Sequence, residues 1–307
     1  MQILAPVVLI ITMGWVLLRI GFLSSHAVGE LNRLTYWVGL PALLLQRIGS
    51  AAPDFERVGG MLLVLFLATG FTLIAAAVGA WLWRMPGRSL VTFVHGVYRG
   101  NIAFVGLPVI VYAFAGTPES AAYESAALVA FVPMVILHNL VAVTLMQLPG
   151  KQPLMRTLRR VSIGVATNPI LIGTLLGVAL ALSPLSLPLA ADRTLAAVGQ
   201  MALPLALIGI GAGLYATRIR GRVHWAVAAS ALRTGLTPLV GLLIGALVGL
   251  KDEELRLVLI FLACPTASAA YVLVQQMDGD APLMASTIVI SHLFALPVML
   301  LVLALTA

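Results

Sequence analysis

LPALLL at 40–45 and LPLALI at 203–208 are similar phrases, and the second stands 163 residues after the first. The interval is not confined to that phrase. Pro6 and Pro169, Gly14 and Gly177, Pro41 and Pro204, and Gly116 and Gly279 are all separated by the same 163 positions. With 17 prolines and 28 glycines in the chain, one coincidence would mean little. Four at one ungapped offset, two in one apolar segment, one in another and one at a span end, mark an internal repeat.

Composition says what kind of unit is repeated. The chain has 307 residues, 61% hydrophobic and only 9% charged, whereas a soluble domain spends about a quarter of its residues on charge. So little charge cannot cover a water-facing surface, so most of the surface must face lipid. A helix crossing roughly 30 Å of hydrocarbon needs about 20 apolar residues, which allows about ten spans here. Apolar runs bounded by charge, glycine or proline place them at 2–20, 30–49, 58–83, 91–115, 120–148, 161–183, 190–215, 224–250, 255–277 and 281–305. The N-terminal run lacks a basic leader and a small-residue cleavage site, so it reads as the first span. Cys264, the single cysteine, excludes an intramolecular disulfide and a multi-cysteine metal site. No motif calls for a metal or a cofactor.

The net charge of +7 lies in loops, where it signals topology rather than nucleic-acid binding. Alternating loops hold eleven basic residues on one side, Arg84, Arg88, Arg156 and Arg218 among them, and five on the other, including Arg47 and Arg57. The positive-inside rule makes the richer side cytoplasmic and puts both termini outside. Five spans per half is an odd number, so the second half enters the membrane from the opposite side. The predicted fold is therefore all-α and integral to the membrane, with ten transmembrane helices as two inverted five-helix repeats. The repeats span 1–148 and 161–307, joined by a basic cytoplasmic linker at 149–160, PGKQPLMRTLRR. Inverted repeats of this kind are characteristic of secondary transporters.

The repeat also pairs two interruptions. The fourth span contains Gly100-Asn101-Ile102-Ala103-Phe104-Val105-Gly106-Leu107-Pro108, and the position 163 after Asn101 is Cys264, followed by Pro265, Thr266, Ala267 and Ser268 in the ninth span. Paired broken helices point to a substrate site near the membrane midplane, where half-helix N-termini would offer N–H groups to an anion. Ordinary proline kinks are the plainer explanation, and the repeat counts against it. Arg99 and Arg233 lie well inside spans. A central arginine costs about 2.5–3.5 kcal/mol on insertion scales, so it either faces a cavity or snorkels to the headgroups. A cavity-facing guanidinium would favour an anionic substrate. All eleven acidic residues sit in loops or within about a turn of a span end, with Glu124 and Asp192 closest to the interior. No mid-membrane carboxylate is left to carry protons. His95 and His138 are the candidate proton sites, and His292 could also carry a proton, although a histidine in a span is more commonly a packing group. The glycines at 209, 211 and 213 mimic a dinucleotide loop without the preceding strand, and Gly241, Gly245 and Gly249 read as close helix packing. No protease, hydrolase or ATPase signature is present, so the chain is not expected to be an enzyme.

LNRLTYWVGLPALLL at 31–45, GNIAFVGLP at 100–108, NPILIGTLLG at 168–177, ALPLALIGIGAGL at 202–214 and CPTASAAYVLVQQMDGD at 264–280 resemble the auxin efflux carrier family across nearly the whole chain. The resemblance implies a scaffold of helices 1, 2, 6 and 7 and a transport domain of helices 3–5 and 8–10. It also implies that helices 4 and 9 cross at prolines, here Pro108 and Pro265, with Asn101 as the polar group beside the substrate. Cys264 departs from that pattern, since no second amide faces Asn101. The long cytoplasmic loop of the plant carriers is absent, and bacterial relatives are associated with small carboxylates such as malonate. The expected function is export of a small organic anion, malonate-like or auxin-like, across an inner membrane by an elevator movement. Expected partners are that anion, the bilayer and a second copy in a homodimer, with no nucleic acid. The rivals are a sodium-coupled carrier of the bile-acid or arsenite type and a non-transporting membrane sensor.

Overall fold

The computed structural model describes residues 4–50, 55–116, 120–147, 166–276 and 278–306, together with 159, 162 and 163. The expected linker at 149–160 and the expected start of the sixth span lie almost wholly outside the described residues. The helices, in chain order, are α1 (Leu4–Arg19), α2 (Ser25–Leu34), α3 (Leu40–Gly49), α4 (Phe55–Leu82), α5 (Gly87–Tyr98), α6 (Leu107–Phe114), α7 (Ser120–Gln147), α8 (Pro169–Ala181), α9 (Leu189–Gln200), α10 (Ala202–Ala216), α11 (Val223–Ala231), α12 (Thr237–Val248), α13 (Asp252–Ala263), α14 (Ala269–Gln276) and α15 (Ala281–Leu305). Among the described residues there is no strand, only one isolated bridge between Gly100 and Thr266.

An all-helical chain is what lipid demands, because a helix satisfies its backbone without help from water. Among the described residues, five helices are long and apolar enough to cross a membrane: Val58–Leu82, Ala122–Ala142, Leu189–Ala216, Val223–Val248 and Ala281–Leu305. Leu4–Arg19, Ile102–Phe114 and Pro169–Ala181 are shorter apolar helices. Side chains fix several starts. Asn168 accepts from the Ile170 and Leu171 N–H groups ahead of Pro169, and Asp280 accepts from Leu283 N–H. A capping acceptor with proline in the first turn is a strong helix start.

Three prolines are carried in an unexpected way. Pro41, Pro108 and Pro238 each follow a wide π turn, at Thr35–Gly39, Ile102–Gly106 and Leu232–Leu236 respectively. A proline in an ordinary α-helix lacks its N–H and its ring collides with the carbonyl four residues back. The wider turn moves that carbonyl away: Leu40 N–H bonds to Thr35 O and Thr237 N–H to Leu232 O, five residues back. The chain thus continues past each proline as helix.

The chain forms two compact units, each drawing on both halves of the sequence. The first comprises Met1–Val58, Ala103–Pro133 and Ile163–Ala216. In it α1 lies on α10, and α3 lies on α8 and α9. Backbones meet there because the facing residues are glycines. A Cβ on Gly14 would overlap Ile208 O, one on Gly211 would overlap Ile11 O, and one on Gly173 would stand 2.7 Å from Pro41 O. Small residues allow such approach between apolar helices, where lipid supplies no hydrophobic drive.

The second unit comprises Gly59–Ile102, Met134–Ser162 and Thr217–Ala307. Its core holds Phe93, Val97, Tyr98, Trp225 and Ala229, with α5 and α11 against α15 and α12 against α13. Gly241 and Gly245 do pack closely, facing Leu262 and Leu255. Gly249 is different: it ends α12 in the left-handed region at φ 76°, with nothing near its missing Cβ. It serves as a helix C-cap, so the three-glycine packing stripe is shorter by one than the spacing suggested.

Gly211→Leu should lower the thermal midpoint of the detergent-purified protein by the equivalent of about 1–3 kcal/mol, the usual cost of overpacking. Cys264 is free and fully buried, so a thiol-reactive dye reports unfolding. An unchanged midpoint would mean that α1 and α10 do not approach this closely.

Candidate functional site

α5 and α13 both stop short inside the second unit, and their ends meet. α5 ends at Tyr98, after which Arg99 turns away from helical geometry at φ −86°, ψ 89°. α13 ends at Ala263, and Cys264 is extended at φ −54°, ψ 140°. The two extended pieces then cross antiparallel. Asn101 N–H donates to Pro265 O at 2.7 Å, and Ala267 N–H donates to Arg99 O at 2.9 Å. Thr266 is buried in the crossing; its hydroxyl donates to Gly96 O at 2.7 Å, and its N–H donates to Ser291 Oγ at 3.0 Å. The pairing read between Asn101 and Cys264 thus corresponds to a real juxtaposition of chain, with Gly100 opposite Thr266.

Two helix C-termini meeting in an apolar interior leave carbonyl oxygens without partners and bring two negative dipole ends together. Arg233, from the π turn before Pro238, answers both. It is 1% exposed. Its Nε donates to Cys264 O at 2.8 Å, Nη1 to Tyr98 O at 3.2 Å, and Nη2 to Phe261 O at 3.0 Å and Leu262 O at 3.1 Å. Four of the five N–H groups of the fork are therefore spent on main-chain carbonyls. Gly100 makes room for it, since a Cβ there would overlap Arg233 Nη2. Of the two readings of this arginine, cavity-facing or snorkelling, neither describes what it does: it closes the ends of two broken helices.

Arg99 is partly exposed and donates through Nη2 to Asn139 Oδ1 at 3.0 Å. Asn101 is 4% exposed, and its side-chain nitrogen has no hydrogen-bond partner. A buried amide donor left unmet costs about 1–3 kcal/mol and calls for an explanation. Cys264 contributes its carbonyl, while its thiol donates to Ile260 O at 3.2 Å. Ser268 is exposed just past the crossing. Gly106 and Pro108 lie further along, in the other compact unit, where Pro108 is the second residue of α6.

His95 and His138 are brought together by Tyr98. The Tyr98 hydroxyl lies 3.1 Å from His95 Nδ1 and 3.2 Å from His138 O, and its ring is edge-on to both imidazoles. His95 Nε2 and His138 Nε2 are buried without partners. His292 is separate, with Nδ1 2.7 Å from Ile288 O. Sequence reasoning did not find Tyr98 or Ser291, because nothing in a single serine or tyrosine announces a partner in another helix.

The first unit has its own polar feature. A cavity of about 190 Å³ is walled by Leu43, Leu107, Ile110, Val111, Ala127, Leu128 and Leu203, with Arg47, Tyr112, Glu124 and Gln200 as its polar members. Arg47 Nη1 and Glu124 Oε2 are 3.1 Å apart. Next to Arg47, Gln46 donates to Asp192 Oδ1 at 3.0 Å. The two acids nearest the interior are thus both held by neighbouring residues of α3.

A family profile described as membrane transport protein matches residues 1–303. The chain belongs to the auxin efflux carrier family. Members of the auxin efflux carrier family are membrane transporters, not enzymes. No curated protein matches the chain.

Arg233→Lys should destabilise this family member by about 2 kcal/mol or more, because a compact ammonium cannot reach all the carbonyls that the fork reaches. Gly100→Ala should also destabilise it, and the double variant should cost less than the two single costs added together, since the methyl fills space that Nη2 vacates. Tryptophan fluorescence on heating measures all three. Strict additivity would contradict the contact.

Proposed function

We propose that the chain exports a small organic anion through a site at the crossing of Gly100–Asn101 with Cys264–Ser268. The single observation that carries this reading is the buried Asn101 amide, whose nitrogen lacks a partner one residue from the point where Arg233 closes both helices. An unmet, buried amide donor suits a carboxylate oxygen. Asn101 is the main ligand in this account. Arg99 is oriented by Asn139 and adds positive potential at the partly exposed side. Arg233 acts mainly by holding the crossing together; with Gly100, Pro265 and Thr266 it shapes the site rather than binding the anion directly. Ser268 lies at the exposed edge.

The architecture proposed with it is ten spans in two inverted five-helix repeats, 1–148 and 161–307, with both termini outside an inner membrane. The 163-residue offset and the unequal distribution of basic residues support it. Helices 3–5 and 8–10 would move as an elevator against helices 1, 2, 6 and 7, in a homodimer. Gly106 and Pro108 then belong to the helix that follows the crossing. Moving one charge through 100 mV is worth about 2.3 kcal/mol, so an inside-negative potential could drive export of a monoanion roughly fiftyfold uphill. No ion partner is required. The unpartnered Nε2 atoms of His95 and His138 provide a proton-carrying alternative.

Flux of labelled malonate from proteoliposomes tests the reading. An imposed inside-negative potential should accelerate efflux, and Asn101→Ala should slow it by about tenfold, the equivalent of one buried hydrogen bond to a charged group. Efflux that ignores potential and follows a sodium or proton gradient would overturn potential-driven export. Malonate binding without any flux would favour a sensor.

A further inference from the structure

Leu82 ends one long apolar helix of the second unit, and Val223 and Ala281 begin two others. Hydrogen bonds and packing gather these three ends at one level. Ser89 Oγ, in the first turn of α5, donates to Asp280 Oδ2 at 2.8 Å, and Asp280 N–H donates to Thr92 Oγ1 at 2.9 Å. Met85, in the turn between α4 and α5, shares a core with Trp225 and Leu283. The segment ahead of α11 is tied to the same place. Ser286 Oγ of α15 accepts from Arg220 N–H at 2.8 Å and donates to Arg220 O at 2.7 Å. Around this seam Arg84, Arg88, Arg218, Arg220 and Arg222 are all exposed. Among the described residues none of the five is in an ion pair. Arg222 lies instead over the Trp225 ring, 4.2 Å from its centroid. The nearby acids are Asp278 and Asp280, and Asp280 is already engaged by Ser89 and by the Leu283 N–H. Trp81 and Trp83, 70% and 52% exposed, border the arginines.

We infer that these five arginines form a binding site for an anionic phospholipid, whose phosphate they hold while its acyl chains lie along Trp81 and Trp83. Like charges around one seam repel one another, and an anion relieves the repulsion. Guanidinium forks meet phosphate oxygens two bonds at a time. The depth selects lipid over a soluble anion. Three apolar helices end here, so the arginines stand at the level of the headgroups, where exposed tryptophans also collect. A soluble phosphate would answer the charge and leave the two indole rings without a partner. The arrangement is also fixed in advance. Both main-chain groups of Arg220 are bound by one serine, and Gly221 turns the chain at φ 78°, where a Cβ would stand 3.2 Å from Pro282 Cβ. The segment carrying three of the five charges is therefore held against α15 before any lipid arrives. The site lies wholly in the second unit and does not depend on what the crossing binds.

Limited trypsin digestion of the full-length protein in neutral detergent tests the site without any substitution. Added cardiolipin should slow cleavage after Arg218, Arg220 and Arg222 by about tenfold relative to added phosphatidylcholine. Cleavage after the exposed Arg33 and Arg193 should not change. Native mass spectrometry then compares two variants that lose the same charge. Arg220→Gln/Arg222→Gln should bind cardiolipin roughly thirtyfold more weakly than the native protein, and Arg33→Gln/Arg193→Gln should bind it as the native protein does. Equal slowing by phosphatidylcholine, the same slowing by inorganic phosphate alone, or equal loss of binding in both variants would overturn the site. Protection by polyglutamate but not by cardiolipin would make the partner an acidic protein segment and overturn it as well.

Discussion

A guanidinium group with four main-chain carbonyls is the interaction on which the rest of this structure depends. Interrupting two helices inside hydrocarbon leaves polar backbone where no water can satisfy it, at a cost of several kcal/mol per group. Arg233 meets Tyr98 O from one helix and Phe261, Leu262 and Cys264 O from the other. A planar fork fixed at several points also sets the angle at which the two chains pass. The bridge between Gly100 and Thr266 then follows, and Gly100 must be glycine because the fork lies against it. The energy cost of a central arginine is thereby turned into a structural element, and the positive charge remains beside the amide of Asn101.

The same need to keep backbone satisfied explains the way prolines are used. Pro41, Pro108 and Pro238 each come just after a π turn that widens the helix enough to admit the ring. Breaks and bends are therefore distinct devices here. At 99–101 and 264–267 the helix stops and its partners come from another chain segment. At the three π turns the helix continues. Arg233 links the two devices, since it is itself a residue of the third π turn.

Much of the site was legible in the sequence because it depends on chain periodicity. The 163-residue offset pointed from Asn101 to Cys264, and the structure brings those stretches together. Lipid solubility and helix content followed from the 9% charge and the apolar run lengths. What stayed hidden depends on which way a side chain points. Spacing could place Arg233 inside a span but could not tell a ligand cavity from a ring of carbonyls. Pro108 looked like the crossing point, yet the chain leaves helical geometry at Arg99, because a π turn relieves the proline. Glu124 reads from the sequence as one of the two acids closest to the membrane interior, and only the fold shows Arg47 3.1 Å from it beside a cavity. Gly249 shared its spacing with two packing glycines but ends a helix instead.

The central claim is that the unmet amide of Asn101 is waiting for the transported anion. Determining the structure of the full chain with malonate bound tests it most directly. The account predicts a carboxylate oxygen about 3 Å from Asn101 Nδ2, with the four Arg233 contacts to the backbone unchanged. A carboxylate bound elsewhere while the Asn101 amide remains unpartnered, or one that draws Arg233 away from the carbonyls, would contradict it.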